Sequence, residues 1–405
     1  VCPGHADRHG YLFGNTYADT LCHAIDNAHQ WAQGREGSPS DDHKLGERTL
    51  REDHVQVLFV YSDISGLERY GSIKYYSGIG SLSAVLKAAG YQTRLLYLQR
   101  ELSSQEFVSH VDAMDPDVVA FSSTTHQYPY IESYARSLKS ERPGTVLVIG
   151  GTHPTLVPDQ VSACPAFDAV CVGEGEYPLL ELVERLQQGR DYADVRNLWV
   201  RRDDQVIRNP MRPLIANLDE LPYVDRDLFD YEQMLAENHG WVDIMSGRGC
   251  PYNCSYCCNP GLKTRYRGLG RYVRFRSVQH IMGELRQLRD RYSGPSAVKT
   301  VNLQDDTFTL DRDWALDFCR AYESEFSYPF WLNTRVENIL DEELVRALAQ
   351  AHCAGIRVGV ENGDETLRAV NRGHDFACAR RAVEMAAERG LHVGAHFILG
   401  LPGET

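Results

Sequence analysis

Short apolar runs alternate with amphipathic stretches along the chain from residue 55 to about residue 188. The apolar runs have the length and β-branched content of buried strands, and they occupy residues 55–61, 92–97, 118–122, 146–149 and 169–172. Helical periodicity fills the intervals, at residues 80–89, 105–113, 130–140 and 177–188. The alternation predicts an α/β fold in which residues 55–190 form a doubly wound, flavodoxin-like parallel sheet with ligands at the carboxyl ends of its strands.

A second alternating series occupies residues 241–405. Its predicted strands are residues 242–245, 298–303, 330–334, 355–360 and 392–399, and each but the last is followed by a helical pattern. Five such steps predict a partial (β/α) TIM-like barrel with functional loops at the carboxyl ends of its strands. Residues 191–240 read as a connector with a small hairpin at 198–201 and 206–208, and residues 1–54 as a polar extension with a short helix at 17–33.

Composition narrows the class of partner. The formal charge is −14 and the pI is about 5.5, which disfavours a nucleic-acid partner because such a partner needs a basic face. We therefore expect a small-molecule substrate. No run of about 18 apolar residues is present to span a membrane. Four of the eleven cysteines lie in one loop and seven are scattered, which fits a reducing, cytoplasmic environment better than a disulfide framework.

The loop that carries the four cysteines holds the most specific pattern. Cys250, Cys254 and Cys257 have the spacing Cys-x3-Cys-x2-Cys. Three thiolates can hold three irons of a [4Fe-4S] cluster and leave the fourth iron open to a ligand, whereas an electron carrier usually supplies four cysteines. The alternative is a structural zinc site with Cys258 as its fourth ligand, although zinc ribbons use two separated Cys-x2-Cys pairs.

This cysteine loop resembles that of the radical S-adenosylmethionine (SAM) family. The resemblance implies that SAM chelates the open iron and that an electron from the cluster cleaves SAM to a 5'-deoxyadenosyl radical. SAM carries an ammonium, a carboxylate, a ribose diol and an adenine, and polar residues end the barrel strands. We assign Asp306, Arg335, Glu361 and Tyr256 to these groups in that order, on chemical grounds.

Two later segments, residues 358–367 and 397–405, together with residues 371–374, resemble motifs of radical SAM enzymes that carry an N-terminal cobalamin-binding domain. The resemblance covers residues 55–405. It implies that three small-residue loops after strands of the first domain bind cobalamin. The residues assigned to cobalamin are Ser122, Ser123, Thr124, Gly150, Gly151, His153, Gly173, Glu174 and Gly175.

The lower ligand of cobalt stays open. The pattern Asp-x-His-x-x-Gly, in which histidine ligates cobalt, occurs at Asp41, His43 and Gly46. It precedes the first strand, whereas that motif belongs after it, so we do not assign it to cobalt. Direct ligation by His126 or His153 is disfavoured, because a lone loop histidine more often forms hydrogen bonds.

The resemblance implies a cobalamin-dependent methyltransferase that acts on an unactivated carbon, with a [4Fe-4S] cluster, SAM and cobalamin as cofactors. A reducing partner such as a flavodoxin or ferredoxin would supply electrons. A cobalamin-containing oxidoreductase or cyclase that does not methylate is the alternative, and a non-catalytic cobalamin or redox sensor is the alternative of another class. The chain begins at Val1 and stops at Thr405 in a strand-to-helix turn, so we expect the barrel to continue further.

Overall fold

The fold is built on two mainly parallel β-sheets. The computed structural model describes residues 55–64, 75–363, 367 and 370–401. The extension at 1–54 and its Asp-x-His-x-x-Gly pattern lie outside the described residues, as do residues 402–405. No helix in the described ranges is long and apolar enough to cross a membrane.

The first sheet has the strand order β2-β1-β3-β4-β5-β6-β7, and its first five strands are parallel. The strands are β1 (Gln56–Ser62), β2 (Gln92–Leu98), β3 (Val118–Ser122), β4 (Val146–Gly150), β5 (Ala169–Cys171), β6 (Leu198–Arg202) and β7 (Gln205–Arg208). The helices are α1 (Ser77–Ala88), α2 (Ser104–Met114), α3 (Tyr128–Glu141), α4 (Thr152–Leu156), α5 (Pro158–Ser162) and α6 (Glu176–Gln187). The flavodoxin-like expectation is confirmed, and the crevice of such a sheet lies where the order reverses, between β1 and β3.

Both faces of this sheet are buried, which is why its strands read as continuous apolar runs. In β1, Val57 and Phe59 belong to one apolar core, while Leu58 and Val60 belong to a second core on the opposite face. The first core continues through the connector, at Leu221, into the second domain. The two domains therefore share one apolar core.

The hairpin β6–β7 lies in the first sheet, although the sequence reading placed it in a connector. Strand β6 pairs antiparallel with β5, and Ala169 faces Val200 in the register. Val200 and Leu198 are fully buried, so the hairpin covers an edge of the parallel sheet that would otherwise be exposed. Burial of these two side chains was not apparent from the short alternating pattern.

The second sheet is parallel throughout, with the order β14-β13-β12-β11-β8. Its strands are β8 (Trp241–Ile244), β11 (Thr300–Leu303), β12 (Phe330–Thr334), β13 (Cys353–Glu361) and β14 (His392–Phe397), and a separate ribbon pairs β9 (Gly247–Arg248) with β10 (Arg274–Phe275). The remaining helices are α7 (Tyr231–Glu237), α8 (Asn259–Arg265), α9 (Val278–Arg291), α10 (Arg312–Glu325), α11 (Glu342–Gln350) and α12 (Phe376–Glu388). Short 3₁₀ helices lie at Leu218–Glu220, Gly294–Ser296, Phe308–Leu310 and Val336–Leu340.

Strands that follow one another in sequence are neighbours in this second sheet. Right-handed crossovers then place all the connecting helices on one face, as in a barrel wall. Alternate strand residues such as Val301 and Leu332 are fully buried beneath these helices. The other face carries polar side chains, among them Asp243, Asn302 and Arg357. The partial barrel is therefore apolar outside, where the helices pack, and polar inside.

Candidate functional site

A cavity of about 1110 Å³ joins the carboxyl ends of the two sheets. Its walls include Gly150 and Gly173 from the first domain and Cys258 and Asp306 from the second. Ligand pockets commonly measure roughly 300–1,000 Å³, so this one has room for a large cofactor beside a small molecule. Both sheets thus contribute residues to one shared cavity.

Six of the nine residues assigned to cobalamin line this cavity. They are Ser122, Gly150, Gly151, Gly173, Glu174 and Gly175. Gly151 has φ 104°, and a Cβ there would lie 2.8 Å from the Ser123 carbonyl oxygen, so only glycine fits this turn. The loops thus present backbone and small side chains, which permits close approach of a flat ring system.

The other three assigned residues, Ser123, Thr124 and His153, lie outside this cavity wall. The His153 ring packs on Tyr128 with 4.5 Å between ring centroids, and its Nδ1 lies 3.2 Å from Thr125 Oγ1. Burial lowers the pKa of His153, which favours the neutral imidazole. Its Nε2 is buried and has no hydrogen-bond partner in the described part of the chain. The structure thus buries this side chain against Tyr128, at the start of helix α3.

Glu174 lines the cavity, but its carboxylate is already engaged. Its Oε1 accepts hydrogen bonds from Arg248 Nη1 at 2.8 Å and Arg274 Nη2 at 2.9 Å, and its Oε2 accepts from Ile215 N at 2.9 Å. Burial opposes ionisation, but Arg248 and Arg274 outweigh it and hold the pKa of Glu174 below its usual value. Arg248 also pairs with Glu176 at 2.6 Å. These residues tie the proposed cobalamin loop to the strand that leads into the cysteine loop.

Replacing Glu174 with glutamine should weaken this connection between the domains. We expect Glu174→Gln to lower the free energy of unfolding by about 2 kcal/mol, because two arginines lose their shared anion in a largely buried place. Urea unfolding measures the change. Glu132→Gln is the matched control, since Glu132 pairs with Arg136 one turn along the solvent-facing side of helix α3, where such pairs contribute about 0.3–0.5 kcal/mol. Equal effects of the two substitutions would contradict the role of Glu174.

The start of the cysteine loop is held by Asp305 at the end of β11. The Asp305 carboxylate accepts hydrogen bonds from Ser246 N at 3.0 Å, Gly247 N at 2.6 Å and Ser246 Oγ at 2.6 Å. Burial raises the pKa of Asp305 to about 6, while these donors favour the ionised form. Gly249 has φ 87°, and a Cβ there would meet the Tyr272 carbonyl oxygen at 2.5 Å. The loop is therefore fixed at its base, directly before Cys250.

The three assigned cysteines differ in their surroundings. Cys254 is buried, and its Sγ accepts from Arg335 Nη1 at 3.2 Å and from Arg372 Nη1 at 3.6 Å. A hydrogen bond from Cys258 and the backbone N–H of Asn259 lower the pKa of Cys257 to about 5. Burial raises the pKa of Cys250. Thiolate is the form that ligates metals, so the donor chemistry at Cys254 and Cys257 suits iron.

Among the described residues, no three His, Cys, Asp or Glu side chains converge closely enough to hold a single metal ion. A tetrahedral zinc site needs its sulfurs within about 2.3 Å of one ion. Cysteines of a [4Fe-4S] cluster bind different irons, and they need not converge on one point. The choice between cluster and zinc therefore rests on the Cys-x3-Cys-x2-Cys spacing of the loop.

Of the four residues assigned to SAM, Asp306 lines the shared cavity and the other three do not. Asp306 faces the cavity, and its Oδ2 accepts from Asn259 Nδ2 at 3.0 Å. Tyr256 is 38% exposed and hydrogen-bonds to Glu361, and burial raises its pKa. Glu361 also lies 3.3 Å from Arg372 Nη2 and has φ 71°, a left-handed conformation uncommon for glutamate. Glu361 is thus held at the strand end by its neighbours.

Arg335, which the sequence analysis assigned to the SAM carboxylate, forms hydrogen bonds with several groups of the protein itself. Its guanidinium lies 3.7 Å from the centroid of the Tyr252 ring, donates to Cys254 Sγ and to Glu337 Oε1, and also contacts the Arg372 carbonyl. With these partners satisfied, its donors face the cysteine loop. The assignment to the SAM carboxylate remains a prediction, and the contacts place Arg335 beside Cys254.

Sequence reasoning missed several arginines at this site. Arg372 contacts Cys254 and Glu361, and Arg248 and Arg274 engage Glu174. Two of these arginines could have been found from their place in the sequence. Arg248 lies inside the cysteine motif, and Arg372 lies inside the segment 371–374 that resembles the family pattern. Arg274 lies in a basic stretch after the cysteine loop, but nothing local pairs it with Glu174, which lies 100 positions away.

Comparison with known proteins divides the chain as the two sheets do. The B12 binding domain family matches residues 69–183, and the radical SAM superfamily matches residues 244–405. An uncharacterized methyltransferase of Pyrococcus horikoshii is 30% identical over 311 residues, 76% of this chain and 65% of its own. An anaerobic magnesium-protoporphyrin IX monomethyl ester cyclase of Rubrivivax gelatinosus is 28% identical over 87% of this chain and 63% of its own. The chain thus spans slightly less than two thirds of these relatives.

A solved structure has the same fold. The radical SAM methyltransferase TsrM from Kitasatospora setae, solved with cobalamin and a [4Fe-4S] cluster bound, superposes with a TM-score of 0.69. The alignment covers 87% of this chain and 71% of TsrM at 19% identity. At 19% identity this comparison shows a shared fold and nothing about the reaction.

Proposed function

Because this chain belongs to the radical SAM enzymes that carry a B12-binding domain, we propose that it is a cobalamin-dependent methyltransferase acting on a carbon atom of a small molecule. The supporting observation is the shared cavity, whose wall runs from Gly150 and Gly173 to Cys258 and Asp306. A methyl carrier and a radical source must act on the same substrate. One cavity reached by both sets of loops allows this.

The residues present suit the three proposed cofactors. Cys250, Cys254 and Cys257 would hold the cluster, and the cation–thiolate contacts at Cys254 suit an iron ligand. The glycine loops and the cavity volume suit a corrin, and Asp306 with Glu361 suits SAM. When bound, the cluster would supply the electron that cleaves SAM, and cobalamin would carry the methyl group.

The chain's own side chains position these groups. Asp306, fixed by Asn259, offers a carboxylate to an ammonium. Arg335 and Arg372 direct positive charge at the Cys254 sulfur, and such hydrogen bonds tune cluster potentials. The Tyr266 and Tyr272 rings stack in the cavity wall, with 5.9 Å between their centroids. We further propose that a protein such as a flavodoxin or ferredoxin donates the electron. We also propose that the protein is cytoplasmic.

Labelled SAM separates methylation from the alternatives. The protein is reconstituted anaerobically with iron, sulfide and hydroxocobalamin, and it then receives dithionite and SAM labelled at the methyl carbon. We expect the label in the extracted corrin, and 5'-deoxyadenosine in solution. Formation of 5'-deoxyadenosine without label in the corrin would favour the cyclase or oxidoreductase alternative. Corrin binding with neither product would favour the sensor alternative.

A further inference from the structure

Arg357 lies on the polar inner face of the partial barrel and has no carboxylate partner among the described residues. Its Nη1 donates to Asn302 Oδ1 at 2.8 Å, and no other hydrogen bond of its side chain is formed within the described part of the chain. By contrast, Arg248, Arg274, Arg335 and Arg372 each pair with a glutamate. Arg357 therefore presents a cation with free donors to the interior.

The position of this guanidinium is fixed from two sides. Asp243 Oδ1 accepts from Asn302 Nδ2 at 2.6 Å and from Gln304 Nε2 at 3.0 Å, so the amide oxygen of Asn302 must point to Arg357. The guanidinium also lies 5.2 Å from the centroid of the Trp331 ring. A cation held by an amide and an aromatic face is ordered before any ligand arrives.

An aromatic surface extends from this cation across the inner face. The centroid of the Trp331 ring lies 6.2 Å from that of Trp241 and 6.2 Å from that of His392. The His392 and Trp331 rings are nearly parallel. Gly355 makes room for the indole, because a Cβ there would lie 2.5 Å from the Trp331 ring. Trp241, Asp243, Asn302 and Gln304 line the shared cavity, whereas Arg357 and Trp331 lie directly behind these residues, so the aromatic surface borders the cavity.

We propose that Arg357 binds the carboxylate of a substrate whose flat apolar body lies on Trp331 and Trp241. This inference rests on the proposed function, since it names the substrate class for the same cavity. A guanidinium matches a carboxylate through two parallel hydrogen bonds. Because Asp243 lies nearby, the local charge suits a monoanion better than a phosphate dianion. Arg357 precedes Glu361 by four residues, about 13 Å along the strand, so the substrate would extend from its acid group toward the proposed SAM site.

Probe binding tests this proposal without requiring turnover. The reconstituted protein is titrated by calorimetry with 3-phenylpropionate, 3-phenylpropionamide and 2-phenylethyl phosphate. We expect the carboxylate to bind about tenfold or more tightly than the amide, and Arg357→Gln to remove that preference. Arg346→Gln, on the exposed side of helix α11, is the matched control and should keep it. Trp331→Leu should weaken the acid and the amide alike.

Two results would overturn the proposal. One is equal binding of the acid and the amide to the unaltered protein, and the other is tighter binding of the phosphate than of the carboxylate. Circular dichroism and 5'-deoxyadenosine formation establish that Arg357→Gln is folded and loaded. If that variant does not fold, Asn302→Ala replaces it, because Asn302 holds the Arg357 guanidinium and its removal should also reduce the preference for the acid. Failure of the cofactors to load contradicts the proposed function, whereas the ranking of the probes tests Arg357 alone.

Discussion

Replacing Cys254 with alanine is expected to reduce iron content and 5'-deoxyadenosine formation to background. Cys254 is the most enclosed of the three assigned ligands, and two arginines contact its sulfur. A cluster that loses one of three protein thiolates has no replacement ligand in the same position. Iron and sulfide analysis with chromatography of the nucleoside products measures the effect on the reconstituted protein.

Cys258→Ser is the matched control for this loss. Cys258 is exposed and adjacent to the assigned ligands, and the zinc alternative requires it as a fourth ligand. If a [4Fe-4S] cluster occupies the loop, Cys258→Ser should retain iron and SAM cleavage. Loss of metal from Cys254→Ala and Cys258→Ser alike, with zinc rather than iron in the unaltered protein, would contradict the cluster.

Removing the charge of Glu284 should produce the largest loss of stability. Glu284 is buried in helix α9 and pairs with Arg226 at 2.5 Å and Arg276 at 2.6 Å. Burial opposes ionisation, but the two arginines outweigh it and lower the pKa of Glu284 to about 2. Relative to the ordinary value of 4.5, this corresponds to about 3 kcal/mol. We expect Glu284→Gln to lower the free energy of unfolding by about that amount, measured by urea unfolding at pH 7.

The lowered pKa of Glu284 also predicts how the free energy of unfolding depends on pH. Because the folded-state pKa of Glu284 is depressed, its contribution is fully present above about pH 4.5 and is lost as the pH falls toward 2. The difference between the unaltered protein and Glu284→Gln should therefore shrink over that range. Glu325→Gln is the control, since Glu325 forms a more exposed pair with Arg286 that contributes up to about 1 kcal/mol. A difference that stays constant down to pH 3 would contradict the role of Glu284.

The parallel strands of both sheets could be read from the sequence because their side chains are closely packed. Strand β12 was predicted at its observed bounds, Phe330–Thr334, and β3 likewise at Val118–Ser122. Burial produces a continuous or regular apolar pattern that marks a strand directly. The hairpin β6–β7 was recognised, but its place in the first sheet was not, because pairing with β5 depends on contacts that no local pattern contains.

The candidate site was only partly readable, because charges pair across long stretches of sequence. The glycine loops that line the cavity were identified from their small residues. Glu174 was expected to face a ligand, and its carboxylate instead binds Arg248 and Arg274, which belong to the other domain. Arg335 and Arg357 show the same limit: whether an arginine has a partner is decided by the folded geometry.

The central claim is that two cofactor sites share one cavity, and corrin and cluster loading tests it most directly. After anaerobic reconstitution, we expect about four irons and one corrin per chain, with 5'-deoxyadenosine formed on addition of SAM and dithionite. Methyl label from SAM should appear in the corrin of the same sample. A folded, iron-loaded protein that cleaves SAM but retains no corrin after gel filtration would contradict the claim.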